Sequence, residues 1–486
     1  MSRFLARTAY APELPDYELL PFNFARLNEQ ETVATNLAGE ILVLPNATVD
    51  ALVNHTLSVD DPAYVPLRAR HFLRLPADKS PIDLLALKVR TRYARLEHFT
   101  NLHIFVVSLR CEHSCPYCQV SRQSEDRESF DMTPEIADRA LDLVFRSPSQ
   151  SVKIEFQGGE PLLNFEMIKY VVEQAKTRNL VAKRDLEFVI ATNLAPITQE
   201  MLEFCRVHNI LISTSLDGPK DLHNKNRPRP GKDSWERATK GIELARQTLG
   251  FDRVSALMTT TQSSLDRVKD IIDMYVALGF TSIFLRPLSP YGFALKTKTF
   301  AAYNTDRWLD FYKAGLDYIL EINRAGIAFV EDYSSLILTK MLTSNDPGYV
   351  DLTNPSGIGL GAIVFNYDGG IFASDESRML AEMGDNTLRL GDIQTSSYED
   401  IYLSDTLLDA LENSFTLSVP MCSDCAFEPF CGADPVYHHA VMKDFTGRKP
   451  ESEFCRRNMA IFKHLLQLMN SDKATAAIFQ RWANRC

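Results

Sequence analysis

From residue 103 to residue 288 the chain repeats one pattern six times: a short β-rich apolar run, a polar break, then an amphipathic stretch of helical period. The apolar runs are HIFVVSL (103–109), KIEFQG (153–158), LEFVIATN (186–193), ILISTSLD (210–217), VSALMTTT (254–261) and TSIFLRPL (281–288). Strands separated by helices do not pair as hairpins; they return by crossovers of fixed hand and build a parallel sheet. The helical stretches carry their own punctuation. Thr133-Pro134-Glu135 offers an N-cap, a first-turn proline and a favourable acid. Thr198–Asn209 and Ser264–Gly279 place apolar residues three and four apart, with Gly279 as a stop. The expected fold class is α/β, with six β–α units curled into an open or partial (β/α)6 barrel. Such folds place their chemistry where the strands end.

A small N-terminal α+β module precedes this core. Within it, Glu18–Leu73 shows short strands (ETVATN, EILVLP), then helices at Asn46–Val53 and near Ala63–Leu73. After the core, residues 311–340 read as helical. Gly357–Gly370 then opens a hairpin, GAIVFNYDGGIFAS, turned at Asp368-Gly369-Gly370. The boundaries drawn on this basis are 1–95, 96–310 and 311–486. No stretch of about 20 apolar residues is present to span a bilayer, and Met1–Tyr10 lacks a signal peptide's basic region and apolar core. A cytoplasmic protein without a membrane partner is expected. The net charge of −11 argues against a nucleic-acid partner, which needs a basic footprint.

Seven of the nine cysteines fall into two tight groups: Cys111, Cys115 and Cys118, then Cys422, Cys425, Cys431 and Cys455. In a reducing compartment such groups read as metal or cluster ligands rather than disulfides. The first group, in SLRCEHSCPYC (108–118), begins where the first β-run ends. A structural zinc site prefers four ligands with paired Cys-x2-Cys spacing, and here only His113 within the loop offers a fourth. Three thiolates on a 4Fe–4S cubane leave one iron without a protein ligand, able to chelate the amine and carboxylate of S-adenosylmethionine (SAM). Later strand ends add polar motifs in order: Gln157-Gly158-Gly159-Glu160-Pro161, Thr192-Asn193, and Ser215-Leu216-Asp217-Gly218-Pro219 followed by His223 and Arg227. Glycines permit close backbone approach to a ligand, and Glu160 suits an ammonium group. Each motif taken singly is an ordinary turn; four at successive strand ends are not.

This order, with the Cys-x3-Cys-x2-Cys spacing and Tyr117 at its aromatic position, resembles the radical SAM superfamily over about residues 100–290. The resemblance implies a SAM-binding 4Fe–4S cluster on Cys111, Cys115 and Cys118. It implies that Gly158, Gly159 and Glu160 meet the SAM amine, that Ser215 and Arg227 reach its ribose and carboxylate, and that Tyr117 lies near the adenine. Asn193 is a weaker carry-over, since Thr-Asn at a strand end also closes turns. His223 reads equally well as a structural histidine.

The second group has four thiols, enough to close a zinc knot or to hold a cubane by all four irons. His438 and His439 read as helix-face residues. The region resembles the SPASM extension of peptide-modifying enzymes such as anaerobic sulfatase maturases, which carries seven cysteines for two auxiliary clusters. On that resemblance Cys422, Cys425, Cys431 and Cys455 match the second auxiliary cluster. Ligands for the first are missing: Pro435 and Ser374 stand where cysteines are expected, and Gly357–Gly361 has none. One auxiliary 4Fe–4S cluster is the expectation. Asp375 falls where the maturases carry a carboxylate that takes the substrate's proton; its alternative is a turn-capping Asp with Glu376 solvated beside it.

Over its full length the chain is most similar to maturases of His-Xaa-Ser repeat peptide systems. The resemblance rests on LHIFVVSLRCEHSCPYCQVSRQSEDR, KIEFQGGEPLLNF and the N-terminal RARHFL segment. It implies a precursor-peptide substrate, a second, paired radical SAM protein and an electron donor such as flavodoxin or ferredoxin. The N-terminal module resembles winged-helix elements that bind leader peptides by strand addition, or it is a packing cap on the barrel. The expected activity is reductive SAM cleavage and modification, by crosslinking, of a ribosomally made peptide. The alternatives are a formylglycine-forming sulfatase maturase and a non-catalytic peptide-binding scaffold.

Overall fold

A computed structural model describes residues 16–296 and 303–485. Its centre is a parallel sheet of five strands, which we number with those of the flanking regions. An antiparallel meander comes first: β1 (Phe22–Arg26), β2 (Glu31–Asn36) and β3 (Ile41–Pro45). The core strands are β4 (Leu102–Ser108), β5 (Ser151–Gly158), β6 (Asp185–Thr192), β7 (Leu211–Ser215) and β8 (Val254–Leu257), paired in parallel in chain order. The sixth β-run forms only β9 (Ser282–Ile283). It leaves the main sheet to pair with β10 (Val330–Glu331), while Thr260 N donates to Arg286 O (3.0 Å) past the end of β8. The α/β partial barrel is therefore present, with five of its six expected strands paired side by side in the main sheet and the sixth held at the margin.

The sequence explains the layers. Helix Pro134–Val144 buries Ala137, Ala140, Leu141 and Val144, one apolar stripe at spacings of three and four, and Thr133 caps it as expected. In β5, Val152, Ile154 and Phe156 bury toward the helices, while Lys153, Glu155 and Gln157 alternate onto the other face. That face gives the barrel a polar interior.

The hairpin expected after residue 357 forms as β11 (Ala362–Phe365) and β12 (Gly370–Phe372), followed by β13 (Arg389–Asp392). Gly369, at φ +90°, makes the turn. β11 lies parallel against the outer edge of β4, so the sheet has eight strands in the order β8-β7-β6-β5-β4-β11-β12-β13. The stretch expected to be one helix over 311–340 is two, Thr305–Arg324 and Asp332–Leu342. They are separated by a break at Gly326 (φ +95°) that lets β10 form. The N-terminal meander is followed by helices Asn46–Val53, Tyr64–Ala69 and Pro81–Tyr93. It docks on the C-terminal region, where Asn23 Nδ2 donates to Ser423 O (2.8 Å) and Gln467 Nε2 to Leu27 O (3.0 Å). No helix among the described residues is long and apolar enough to cross a membrane.

Candidate active site

The first cysteine loop leaves β4 through Arg110, whose fork clamps Asp131 (Nε–Oδ1 2.7 Å, Nη2–Oδ2 2.8 Å) and also reaches Leu163 O. The loop closes by Cys118 N donating to Cys115 O (3.1 Å). His113 is buried with both nitrogens engaged: Nδ1 meets Glu112 Oε1 and Asn193 Nδ2 (3.1 Å each), and Nε2 meets Ser234 Oγ (2.8 Å). The same hydroxyl lies 3.0 Å from His223 Nε2, so His223 is structural.

Burial pushes the Cys111 thiol far up, with Glu112 and Glu160 adding to it; burial likewise raises Cys115 to about 12, Arg227 opposing. Thiols in such a setting become thiolates when a metal's charge compensates them. Among the described residues only Cys111, Glu112 and His113 bring three ligating atoms within 4.8 Å of one another. Neither the three-thiol nor the four-thiol set closes that far, and a single zinc with bonds of about 2.3 Å needs such closure. Three thiols, wide spacing and a committed histidine fit a cubane with one open iron.

Gly158 and Gly159 have a role that spacing alone did not reveal. A Cβ on Gly159 would lie 2.5 Å from Leu109 O and nearer still to Arg110 O; one on Gly158 would overlap Ser108 O. Gly159 N donates to Ser108 O (2.8 Å) and Glu160 N to Arg110 O (2.7 Å). The glycine pair therefore seats the end of β5 directly on the backbone that leads into Cys111. Glu160 is buried. Its Oε1 accepts from Thr192 Oγ1 (2.6 Å) and Leu162 N (3.1 Å), and its Oε2 from Asn193 N (2.8 Å). Burial first, then the Glu112 charge, outweighs these donors and raises its carboxyl to about 8. Asn193 closes the turn it shares with Glu160, its Oδ1 accepting from Ala195 N (2.8 Å).

Ser215 ends β7 opposite Leu257. Arg227 donates through Nε and Nη2 to Asp217 (3.0 and 3.2 Å) and stands 5.6 Å from the Tyr117 ring centroid; the Tyr117 hydroxyl donates to Asp217 Oδ2 (2.6 Å). Asp217 is fully buried and was not among the expected site residues. Burial pushes its carboxyl up, but Arg227, His223 and Tyr117 together hold it below the ordinary range. The signal for it was weak: an acid two residues past a strand end, with an arginine ten residues on. Tyr117 packs against Leu288 and Ala294, with Cys115 beside them.

The four C-terminal thiols lie near enough to act on one another electrostatically. Burial raises Cys431, and Cys422, Cys425 and Cys455 each raise it further; Cys422 is pushed to about 11, with Lys449 opposing. His438 is engaged by Asp434 O and Ser452 Oγ (2.8 Å each) and His439 by Asp385 (2.9 Å), so neither faces the thiols. Ser374 spends its hydroxyl in a capping box with Ser377, and Pro435 opens helix Pro435–Met442. Neither is a cluster ligand.

Between the two cysteine groups lies a small, partly open cleft with about 40 Å³ of room for water-sized groups. Arg286, Asp351, Glu376, Asp434 and Arg457 line it, with tyrosines 291, 333, 349 and 437 as walls. The lining segment that follows β9 leads to the first loop: Leu288 packs on Tyr117, and Phe293 N donates to Cys118 O (2.7 Å). On the other side Asp434 is three residues past Cys431, and a Cβ on Gly432 would sit 2.5 Å from Asp351 O. Asp375 opens helix Asp375–Ala381, where its Oδ1 accepts from Nε and Nη2 of the wholly buried Arg378 (3.1 and 2.9 Å). Glu376 beside it is half-buried, with about 25% of its side chain exposed. It lines the cleft with Oε1 3.9 Å from Arg286 Nη2.

The comparisons agree with this geometry. Residues 105–275 match the family model described as the radical SAM superfamily. The radical SAM cyclopropyl synthase TigE of Paramaledivibacter caminithermalis is 25% identical over 231 residues, 44% of this chain and 46% of that one, so the match spans about half of that relative. A cysteine-type anaerobic sulfatase-maturating enzyme of Clostridium perfringens is 22% identical over 351 residues, 68% of this chain and 87% of that one. Among solved structures, anSMEcpe with bound AdoMet superposes with a TM-score of 0.61 at 17% identity, covering 78% of this chain and 99% of that one. Streptococcus suis SuiB bound to precursor peptide SuiA gives 0.52 at 15% identity, covering 90% and 100%. These likenesses share the fold. With a three-cysteine loop at the first strand end and the GGE and Ser-x-Asp motifs at the next ones, the chain belongs to the radical SAM superfamily, whose cofactors are a 4Fe–4S cluster and SAM.

Proposed function

We propose that the chain cleaves SAM reductively and uses the radical so formed to modify, by crosslinking, residues of a ribosomally made precursor peptide. The observation that carries this reading is the three-cysteine loop with the GGE and Ser-x-Asp motifs at the next strand ends, beside a small cleft whose charged and aromatic walls face both cysteine groups. When bound, the cluster and SAM supply a 5′-deoxyadenosyl radical. The chain's own residues do the rest. Cys111, Cys115 and Cys118 hold the cluster at the mouth of the barrel. Glu160, Ser215, Arg227 and Tyr117 surround SAM, with Asp217 fixing the last two. Cys422, Cys425, Cys431 and Cys455 hold one auxiliary 4Fe–4S cluster. Asp375 and Glu376 provide carboxylates at the substrate side.

The N-terminal module binds the leader: its meander order leaves one edge of β3 without a strand partner among the described residues, and an added strand would satisfy that edge. SuiB, solved with its precursor peptide, supports a peptide substrate. The similarity to maturases of His-Xaa-Ser systems supports a paired second radical SAM protein and a flavodoxin- or ferredoxin-like donor. Formylglycine formation is a second reading, favoured by the coverage of the sulfatase-maturating relative and weakened by Ser374 and Pro435. The test is anaerobic reconstitution followed by assay of 5′-deoxyadenosine from SAM and dithionite. We expect turnover. Iron loading without any SAM cleavage would reduce the chain to a peptide-binding scaffold.

A further inference from the structure

We infer that Asn458, held in place by Tyr333, donates a hydrogen bond to the sulfur of Cys431 and so tunes the reduction potential of the cluster on the four C-terminal thiols. This rests on the reading above that Cys422, Cys425, Cys431 and Cys455 hold one 4Fe–4S cluster, and it adds the residues that tune it. Asn458 lies three residues after Cys455 on helix Glu453–Ser471, so the helix turns both side chains the same way. An asparagine inside a helix gives up helix propensity, and a buried one requires partners. Asn458 is 1% exposed. Its Nδ2 donates to Cys431 Sγ at 3.8 Å, within reach of a sulfur acceptor, and its Oδ1 accepts from the Tyr333 hydroxyl (3.0 Å).

Two observations single this pair out. Among the described residues, Asn458 supplies the one side-chain nitrogen that donates to a sulfur of this group; Phe427 N donates to Cys425 Sγ (3.4 Å), but from the backbone. As a free thiol Cys431 gives its own hydrogen to Gly432 O (3.1 Å). A ligating thiolate has no hydrogen to give, whereas the Asn458 amide still has one to offer. The second observation is how firmly the amide is oriented. Its two ends are alike in size and opposite in character, and Tyr333, donating to Oδ1, turns Nδ2 to the sulfur. Tyr333 is itself clamped. Its ring stacks on Phe284 (centroids 5.5 Å, 10°) and meets Tyr349 edge-on (6.0 Å, 71°), all three in the cleft wall. Tyr333 is thus a positioning residue that reaches from the cleft to the thiol group through the amide.

The sign of the effect follows from charge. A cubane on thiolates gains a further negative charge when it is reduced, so a donor aimed at its sulfur favours the reduced state. Removing the Asn458 N–H must therefore lower the potential. Loosened packing acts the other way: water reaching the sulfurs solvates the added charge and raises the potential. The direction of the shift separates a lost hydrogen bond from a damaged site.

The test is a redox titration of the reconstituted full chain, read by low-temperature electron paramagnetic resonance without substrate or turnover. The signal that changes on adding SAM belongs to the first cluster and serves as the internal standard. We expect Asn458→Leu to cut the reduced-to-oxidised ratio of the other cluster about tenfold at the wild-type midpoint, the scale of one charge-assisted hydrogen bond. For one electron that is a downward shift of about 59 mV. The first cluster should not move. Tyr333→Phe removes only the hydroxyl and should give part of the same downward shift; added to Asn458→Leu it should change nothing more. Tyr349→Phe, on the same wall but without a hydrogen bond to the amide, should leave the midpoint in place. Tyr333→Phe carries the test if Asn458→Leu does not load its cluster. A wild-type or raised midpoint in Asn458→Leu or in Tyr333→Phe overturns the inference, as does an equal shift in Tyr349→Phe. If the wild type shows no second cluster, or zinc on those thiols, the cluster reading itself falls and takes the inference with it.

Discussion

Replacing Gly159 with alanine isolates the link between the second strand end and the cluster loop. The added methyl would sit 2.5 Å from Leu109 O and closer to Arg110 O, where real contacts keep at least 3.0 Å. Both obstacles are backbone, so a rotamer change cannot relieve them. The strand end and the loop must separate by about 0.5 Å or more, and overpacking of this kind costs roughly 1–3 kcal/mol. The same movement stretches Gly159 N–Ser108 O and Glu160 N–Arg110 O, now 2.8 and 2.7 Å; each bond is worth about 1 kcal/mol. Cys111 follows Arg110 directly, so the displacement reaches the first thiol undamped. Misplacement by about 1 Å near reacting groups costs on the order of 10²-fold, and we expect Gly159→Ala to lose SAM cleavage on that scale. Iron on the four C-terminal thiols should be retained. The assay is 5′-deoxyadenosine formation with dithionite, beside low-temperature electron paramagnetic resonance of each cluster. SAM cleavage within about twofold of wild type would refute the reasoning, because the glycine would then be no spacer.

Three further outcomes follow from the same geometry. Cys111, Cys115 and Cys118 changed together to Ala should abolish SAM cleavage and leave the second cluster; continued 5′-deoxyadenosine formation would sink the assignment. Iron in the reconstituted wild type should be about 8 per chain, two cubanes, and Cys431→Ser should remove the C-terminal half; a third cubane's iron, or zinc on those thiols, would contradict the ligand set. Asp217→Asn leaves the buried Arg227 guanidinium without its partner, which costs about 3–5 kcal/mol locally. Hydrogen exchange at the ends of β7 and β8 should rise accordingly. The Asp217 carboxyl is held below its ordinary range, so its contribution is complete above the unfolded carboxylate range and is lost as pH falls through the lower folded value. Wild type should therefore lose stability on acidification more steeply than Asp217→Asn, and parallel curves would count against the pair.

The alternating β–α pattern made the barrel legible because each strand's apolar run and each helix's stripe agree with its neighbours. The cysteine loop was legible for a different reason: thiols have few other uses at that spacing. The tertiary partners were not. Nothing local says that Asp217 and Arg227 lock on Tyr117, or that Asp375 turns to Arg378 while Glu376 turns to the cleft. Those choices depend on which side of a short helix meets Arg286, some ninety residues upstream. The sixth strand was misjudged in extent for a similar reason. TSIFLRPL has strand composition throughout, but only Ser282–Ile283 find a strand partner, and the rest runs on to form the cleft wall.

The pairing of β11 with β4 bears on how the chain is made. Ala362–Phe365 cover the edge of Leu102–Ser108, across some 260 residues of intervening sequence. Until the ribosome has delivered that hairpin, the strand leading to the first cysteine loop is an apolar, unpaired border, the kind of surface that recruits other chains. A nascent chain that stops before residue 362 should therefore be most prone to aggregate at the strand that later carries the cluster.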